Sequence, residues 1–240
     1  DQRLYKSGLF KDAIESHFWL LENNGKSLDS VFIEMKISID AMMINLVKDE
    51  QKLNEVTDYL FDLLERHSLS RAAEYLALKV LNETSCTINS DLAKQLESYR
   101  AMKKGNIAPD IKFGNSTYLN GVKQAMFNNL TNLTTPYTLV VFGASWCPKC
   151  MEELPKLIQN YVKWRNVGVE VVYVSLDTDQ QVFEQAVKSY PFFAYCDYEK
   201  WESKVVKDYY VFGTPTFYLL DSKREILLRP NSVSQMDAWV

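Results

Sequence analysis

The chain of 240 residues is 47% apolar, balances 27 basic against 31 acidic residues for a net charge of -4, and holds four cysteines and two histidines. Its length suits one large or two modest domains with a sizeable core, and its interspersed charges exclude a basic stripe for nucleic acid or a polybasic cluster for anionic lipid. No apolar run approaches the roughly 20 residues of a bilayer span, and four cysteines with one close pair make no disulfide scaffold, so the compartment stays open.

Asp1 in place of an initiator Met points to a processed chain, compatible with a removed signal or anchor. From Leu9 to about Arg100 there is no proline, and Phe32, Met35, Ile39, Met42, Met43 and Leu46 recur at helical spacing. This half is expected to be all helix, about five helices, with breaks at Asn23 to Gly25, Lys48 to Lys52, Ser68 to Ser70 and Thr84 to Asn89, and caps for the second helix from Ser27 to Ser30. Its Met and aromatic stripes read as core, and no chemistry is assigned there. Such a bundle, residues 1–104, would present a second domain to a partner or restrict its substrates. Cys86 reads as a quiet, buried thiol. Four Asn-x-Thr triplets, at Asn82, Asn115, Asn129 and Asn132, are put down to chance in a chain rich in Asn and Thr.

Lys103-Lys104-Gly105-Asn106 ends the last helix and Pro109 punctuates the chain soon after, so a second domain is expected over 105–240. Its pattern is a strand near Ile111 to Phe113, a helical or irregular piece near Val122 to Asn128, a strand from Thr138 to Phe142 and an amphipathic helix from Met151 to Trp164. Then come a β-branched central strand from Val169 to Leu176, a helix near Gln181 to Lys188 and a strand around Ala194 that carries Cys196, a second quiet thiol. A helix near Trp201 to Tyr209 and a hairpin of Thr216 to Leu220 with Ile226 to Leu228 complete an α/β layer.

Trp146-Cys147-Pro148-Lys149-Cys150 carries the chemistry, because it stands where a strand becomes a helix. Unpaired N–H groups and the positive end of the helix dipole favour a thiolate at Cys147, the expected nucleophile. One turn on, Cys150 is placed to attack a mixed disulfide through Cys147 and close an intramolecular disulfide, which makes it the expected resolving thiol. A zinc site needs about four ligands, and only Cys86, Cys196, His17 and His67 remain, none in a second close pair. A structural disulfide closing so short a loop, with Pro148 at the first helical position, removes little unfolded-state entropy. No metal or organic cofactor is called for.

Gly213-Thr214-Pro215-Thr216 leads into the apolar strand Phe217-Tyr218-Leu219-Leu220. The pairing of W-C-P-x-C after one apolar strand with T-P before another resembles the thioredoxin superfamily. Ala108-Pro109-Asp110-Ile111, Ala144 to Pro155, Val174-Ser175-Leu176-Asp177 and the stretch from Trp201 to Thr216 resemble the extracytoplasmic TlpA/ResA type within it. The resemblance covers a little over half the chain and implies a thioredoxin-like α/β domain preceded by an all-α helical domain. It implies that Pro215 is cis and turns the Thr214 backbone toward the sulfurs, leaving it free to pair with an extended substrate peptide. Trp146, Pro148 and Thr214 then border the bound substrate. It gives Glu153, one turn after Cys150, a role in proton handling, which that position on the helix also suits, whereas spacing alone leaves a solvated helix residue open as the alternative. It implies a thiol-disulfide oxidoreductase of the periplasm or cell envelope, preferably a reductase, with protein disulfide substrates and an upstream thiol-disulfide donor. Val141 stands where thioredoxin has a buried aspartate, and Gly143 where many relatives have an aromatic residue. Lys149, between the sulfurs, would favour a thiolate by an amount screened at an exposed loop. The alternatives are a peroxide reductase of peroxiredoxin type, although Ala144 replaces the upstream threonine, and a binding module whose dithiol senses redox state.

Overall fold

The computed structural model describes residues 2–67, 69–83, 90–114, 116–124 and 129–240. The chain divides into two compact units, Asp1–Ala101 and Met102–Val240. The described residues of the first unit form α1 (Gln2–Lys6), α2 (Phe10–Glu22), α3 (Leu28–Leu46), α4 (Glu50–Arg66), α5 (Ser70–Glu83) and α6 (Ser90–Ala101). α1 is the one the sequence pattern does not show, since five residues are too few for a periodicity. Ser27 Oγ accepts the Ser30 N–H at 3.4 Å and Asp49 Oδ1 accepts the Lys52 N–H at 3.2 Å, so side-chain caps start α3 and α4. Met35, Ile39 and Met43 fall on one face of α3 and join Phe18, Leu60, Leu64 and Leu76 in the core of the bundle. The breaks expected at residues 68 and 84–89, and Cys86 with them, lie outside the described residues.

The second unit is built on a seven-stranded sheet. Its strands are β1 (Thr117–Leu119), β2 (Val122–Lys123), β3 (Tyr137–Gly143), β4 (Val169–Ser175), β5 (Phe193–Cys196), β6 (Thr216–Asp221) and β7 (Ile226–Leu228), in the order β2-β1-β5-β4-β3-β6-β7. β3, β4 and β5 are parallel, with Tyr137 opposite Val169 and Gly143 opposite Ser175, while β6 returns antiparallel to β3 with Phe142 opposite Thr216. Every residue of β4 is buried, as the β-branched run requires of a central strand. The helices are α7 (Pro148–Asn166), α8 (Gln180–Val187), α9 (Lys204–Asp208) and α10 (Val233–Trp239), and α7 packs against both β4 and α10.

Three expectations are corrected and one element is added. Ile111 to Phe113 form no strand: Lys112 makes one isolated bridge, to Asn129, and the edge strand is β1, antiparallel to β5. Val122 and Lys123 belong to β2, and residues 125–128 of the expected helical piece lie outside the described residues. The signal for this hairpin is Asn120-Gly121, whose φ values of 51° and 70° make a tight turn. The expected helix from Trp201 to Tyr209 is divided, because Ser203 takes an extended ψ of 129° between a 3₁₀ turn at Lys200–Glu202 and α9, which it caps through the Val206 N–H. α10 is an addition to the expected elements. Its signal is Ser232-Val233-Ser234-Gln235, in which Ser232 Oγ accepts the Gln235 N–H at 3.2 Å and Gln235 Oε1 accepts the Asn231 N–H at 2.7 Å.

Candidate active site

Two strand ends build the site. β3 stops at Gly143, four residues turn the chain, and α7 begins at Pro148, which takes the first helical position because it has no N–H to leave unpaired. Cys147 is therefore the N-cap, and its Sγ accepts the Cys150 N–H at 3.2 Å. Since β6 lies beside β3, the segment entering β6 arrives at the same place: the Thr214–Pro215 bond is cis, and the Thr214 carbonyl sits 3.2 Å from Cys147 Sγ, where it accepts from the protonated thiol.

The two sulfurs, both free thiols, are pushed in opposite directions. Burial works against a thiolate at Cys147, but hydrogen bonds from the Cys150 and Thr214 side chains and from the N–H groups of Cys150 and Lys149 outweigh it and hold this thiol below its ordinary range. Burial raises Cys150 to about 12, and the neighbouring Cys147 adds to the rise. Cys147 is 5% exposed and Cys150 1%, so only the first offers an edge to solvent. Lys149 contributes through its backbone, as its ammonium is turned to Glu152 at 3.1 Å.

Glu153 is no solvated helix residue. It is 3% exposed, on the face of α7 that also buries Cys150, Leu154 and Leu157. Its Oε1 accepts from Lys156 Nζ at 2.7 Å and its Oε2 from the Val233 N–H at 2.7 Å. Burial opposes its ionisation, yet Lys156 and the Val233 N–H prevail and hold the carboxyl below its usual range. A cavity of about 10 Å³, room for one water, is lined by Cys150, Glu153, Val141, Gly143, Tyr173 and Pro215 among others. The acid beneath the second sulfur thus comes from the helix, opposite the apolar Val141 of the strand. Gly143 leaves its space to Tyr173: a Cβ there would lie 2.8 Å from the ring.

Asp177, in sequence no more than part of a strand end, has a clear place in the fold. Its buried carboxylate accepts the Ser145 N–H at 3.1 Å, the Ser145 hydroxyl at 2.7 Å and the Ser175 hydroxyl at 2.7 Å, tying the turn before Cys147 to the end of β4. The residues it joins are far apart in sequence, so only the parallel pairing of β3 with β4 could have revealed it. Cys196 is buried, pushed up to about 12 by that burial, and donates to the Asp177 carbonyl at 3.2 Å. At the rim, Pro148 is exposed, and the exposed Trp146 meets Trp201 edge to face with ring centroids 6.2 Å apart. Among the described residues, no three His, Cys, Asp or Glu side chains converge as metal ligands.

Residues 136–226 match a family model described as thioredoxin-like. A nucleoredoxin of Danio rerio is 34% identical over 107 residues, 43% of this chain and 25% of its own length. The thiol-disulfide oxidoreductase ResA of Oceanobacillus iheyensis is 33% identical over 98 residues, 40% of this chain and 50% of its own. The chain thus spans a quarter to a half of the length of these relatives. A solved thioredoxin-like protein from Bacteroides caccae matches 100% of this chain with 85% of its own, at a TM-score of 0.67 and 15% identity, a likeness of fold. A thioredoxin-like α/β fold preceded by helices is common to both.

Proposed function

We propose that this chain, which resembles the TlpA/ResA branch of the thioredoxin superfamily, is a thiol-disulfide oxidoreductase that reduces disulfides of protein substrates in the cell envelope. The observation that carries this reading is the split between the two thiols, one hydrogen-bonded toward its anion at a helix tip and the other buried beneath it. The Cys147 thiolate attacks a substrate disulfide, whose S–S bond breaks as a bond to Cys147 forms, and the substrate sulfur that leaves takes up a proton. Cys150 then loses its proton, attacks Cys147 and closes the Cys147–Cys150 disulfide, releasing the second substrate thiol. An upstream dithiol donor restores the pair.

Each remaining residue has a proposed part. The Thr214 backbone, beside cis-Pro215, is placed to pair with an extended substrate segment, and Trp146 and Pro148 border it. Glu153, which lines the one-water cavity with Cys150, passes the proton that Cys150 gives up on toward solvent and does not keep it, since its own carboxyl is held below the usual range. No helix among the described residues is long and apolar enough to cross a membrane, so placement in the envelope rests on the TlpA/ResA likeness.

Trapping tests the mechanism: Cys150→Ser should accumulate mixed disulfides through Cys147 with oxidised protein substrates, and Cys147→Ser should not. A Cys150→Ser variant that captures nothing would end this reading. Equilibration with glutathione tests the direction, since a reductase should sit nearer thioredoxin, at about -270 mV, than an oxidant at about -120 mV.

A further inference from the structure

The rim of the dithiol carries exposed aromatic surface. Trp146 is 47% exposed, Trp201 36% and Phe212 53%, and each stands beside the reacting groups: Trp146 precedes Cys147, Phe212 lies two residues before Thr214, and Trp201 packs on Trp146. Above the Trp146 ring, 4.8 Å from its centroid, lies the ammonium of Lys200. The nearby cations are neutralised, Lys149 by Glu152, Lys204 by Asp208 and Lys207 by Glu202. Lys200 has no carboxylate partner among the described residues, although its side chain is half-buried.

The backbone holds that cation in place at some cost. Tyr198 and Lys200 have φ values of 65° and 53°, a left-handed conformation that side chains other than those of Gly, Asn and Asp rarely adopt. Asp197 fixes the loop by accepting the Glu199 N–H at 3.1 Å and the Ser203 hydroxyl at 2.5 Å. Strain of this kind at a site rim goes with presentation of a side chain rather than with packing.

We infer that the substrate segment engaged at Cys147 carries an acidic side chain next to an apolar one, close to its reactive cysteine, and that Lys200 reads the carboxylate while Trp146 and Trp201 cover the apolar neighbour. The inference rests on the exchange reading above and names its substrate class. A carboxylate settling beside Lys200 supplies the missing counter-charge, and the indole keeps one side of the pair dry.

Two disulfide-bonded peptides, identical but for Phe-Asp or Phe-Lys beside the reactive cysteine, test it on the whole chain. The acidic peptide should be reduced with a kcat/KM about three- to tenfold higher at low salt, in line with one screened charge pair. That ratio should fall toward one at about 0.5 M salt, where screening reaches only a few ångströms. It should be lost in Lys200→Asn, which tolerates the left-handed backbone, and inverted in Lys200→Glu. Equal rates for the two peptides in the unaltered chain, or the same ratio in Lys200→Asn, would overturn the inference and leave the exchange reading standing. Failure of both peptides to react would remove that reading and this inference together.

Discussion

The carboxylate of Glu153 accepts the backbone N–H of Val233 at 2.7 Å, so the acid that shares a cavity with the Cys150 thiol is tethered by the first residue of α10. The carboxyl is held below its ordinary 4.5, which means that its tether contributes stability above that value and loses it as pH falls through the lowered one. Lys156 is about half exposed, so the ion pair contributes little and the buried N–H contact most. Glu153→Gln should therefore cost about 1–3 kcal/mol in denaturant unfolding near neutral pH, the penalty of a poorly matched buried donor. The deficit should shrink in acid, once the pH has fallen through the lowered value and the native carboxyl also takes up its proton. An equal deficit at both pH values would mean that ionisation of Glu153 is irrelevant to the fold.

The opposed shifts of the two thiols make a second expectation. Of the two active-site thiols, alkylation of the reduced chain should modify Cys147 near neutral pH, with a rate that rises through a midpoint below the ordinary thiol value of 9.0, while Cys150 stays unmodified until the solution is far more alkaline. Mass spectrometry of quenched samples reads both. Faster modification of Cys150 than of Cys147 would reverse the assigned roles.

Local signals show the dithiol junction in the sequence, and long-range ones hide its supports. A proline between two cysteines at the end of an apolar run is a statement about adjacent residues, as is Thr214-Pro215 before the next strand, and the β-branched run of Val169 to Ser175 declares a central strand without help from its neighbours. The burial of Glu153 depends on α10 docking against α7, and a helix of seven residues that opens with an Asn-Ser cap gives no periodicity to read. Asp177 acquires its meaning only when Ser145 is brought to it by strand pairing, and Tyr173 only when Gly143 is known to face it. The hairpin at Asn120-Gly121 is within reach of turn chemistry, but its strands of three and two residues are too short to show an alternation.

Asp177 acts by position, through the turn that presents Cys147. Asp177→Ala strips acceptors from the Ser145 N–H and from the hydroxyls of Ser145 and Ser175, and should lower stability by about 1–3 kcal/mol. A structural loss alone would leave Cys147 as reactive as before in the fraction that is folded. With the turn released, the alkylation midpoint of Cys147 should instead move up, toward that of an ordinary thiol, because the N-cap geometry that supplies its hydrogen bonds loosens. Asp177→Asn, which keeps one acceptor oxygen, should recover part of that shift. An unchanged midpoint in both variants would confine Asp177 to stability.

Gly143 and Tyr173 form a reciprocal pair, one residue giving the room that the other fills. A methyl group at 143 would lie 2.8 Å from the Tyr173 ring and 2.9 Å from its hydroxyl, where both residues are packed in the sheet. Gly143→Ala should cost about 1–3 kcal/mol by overpacking. Tyr173→Val should be destabilising on its own, since it empties space next to Cys150 and Tyr190. Combined, the two changes should cost less than their sum, by about 1 kcal/mol or more, because the smaller side chain removes the clash that the new methyl creates. A thermodynamic cycle in denaturant measures this coupling directly. Strict additivity would show that the ring yields freely when a methyl is placed against it, and that the missing side chain at 143 is not what admits the phenol to the wall of the cavity beneath Cys150.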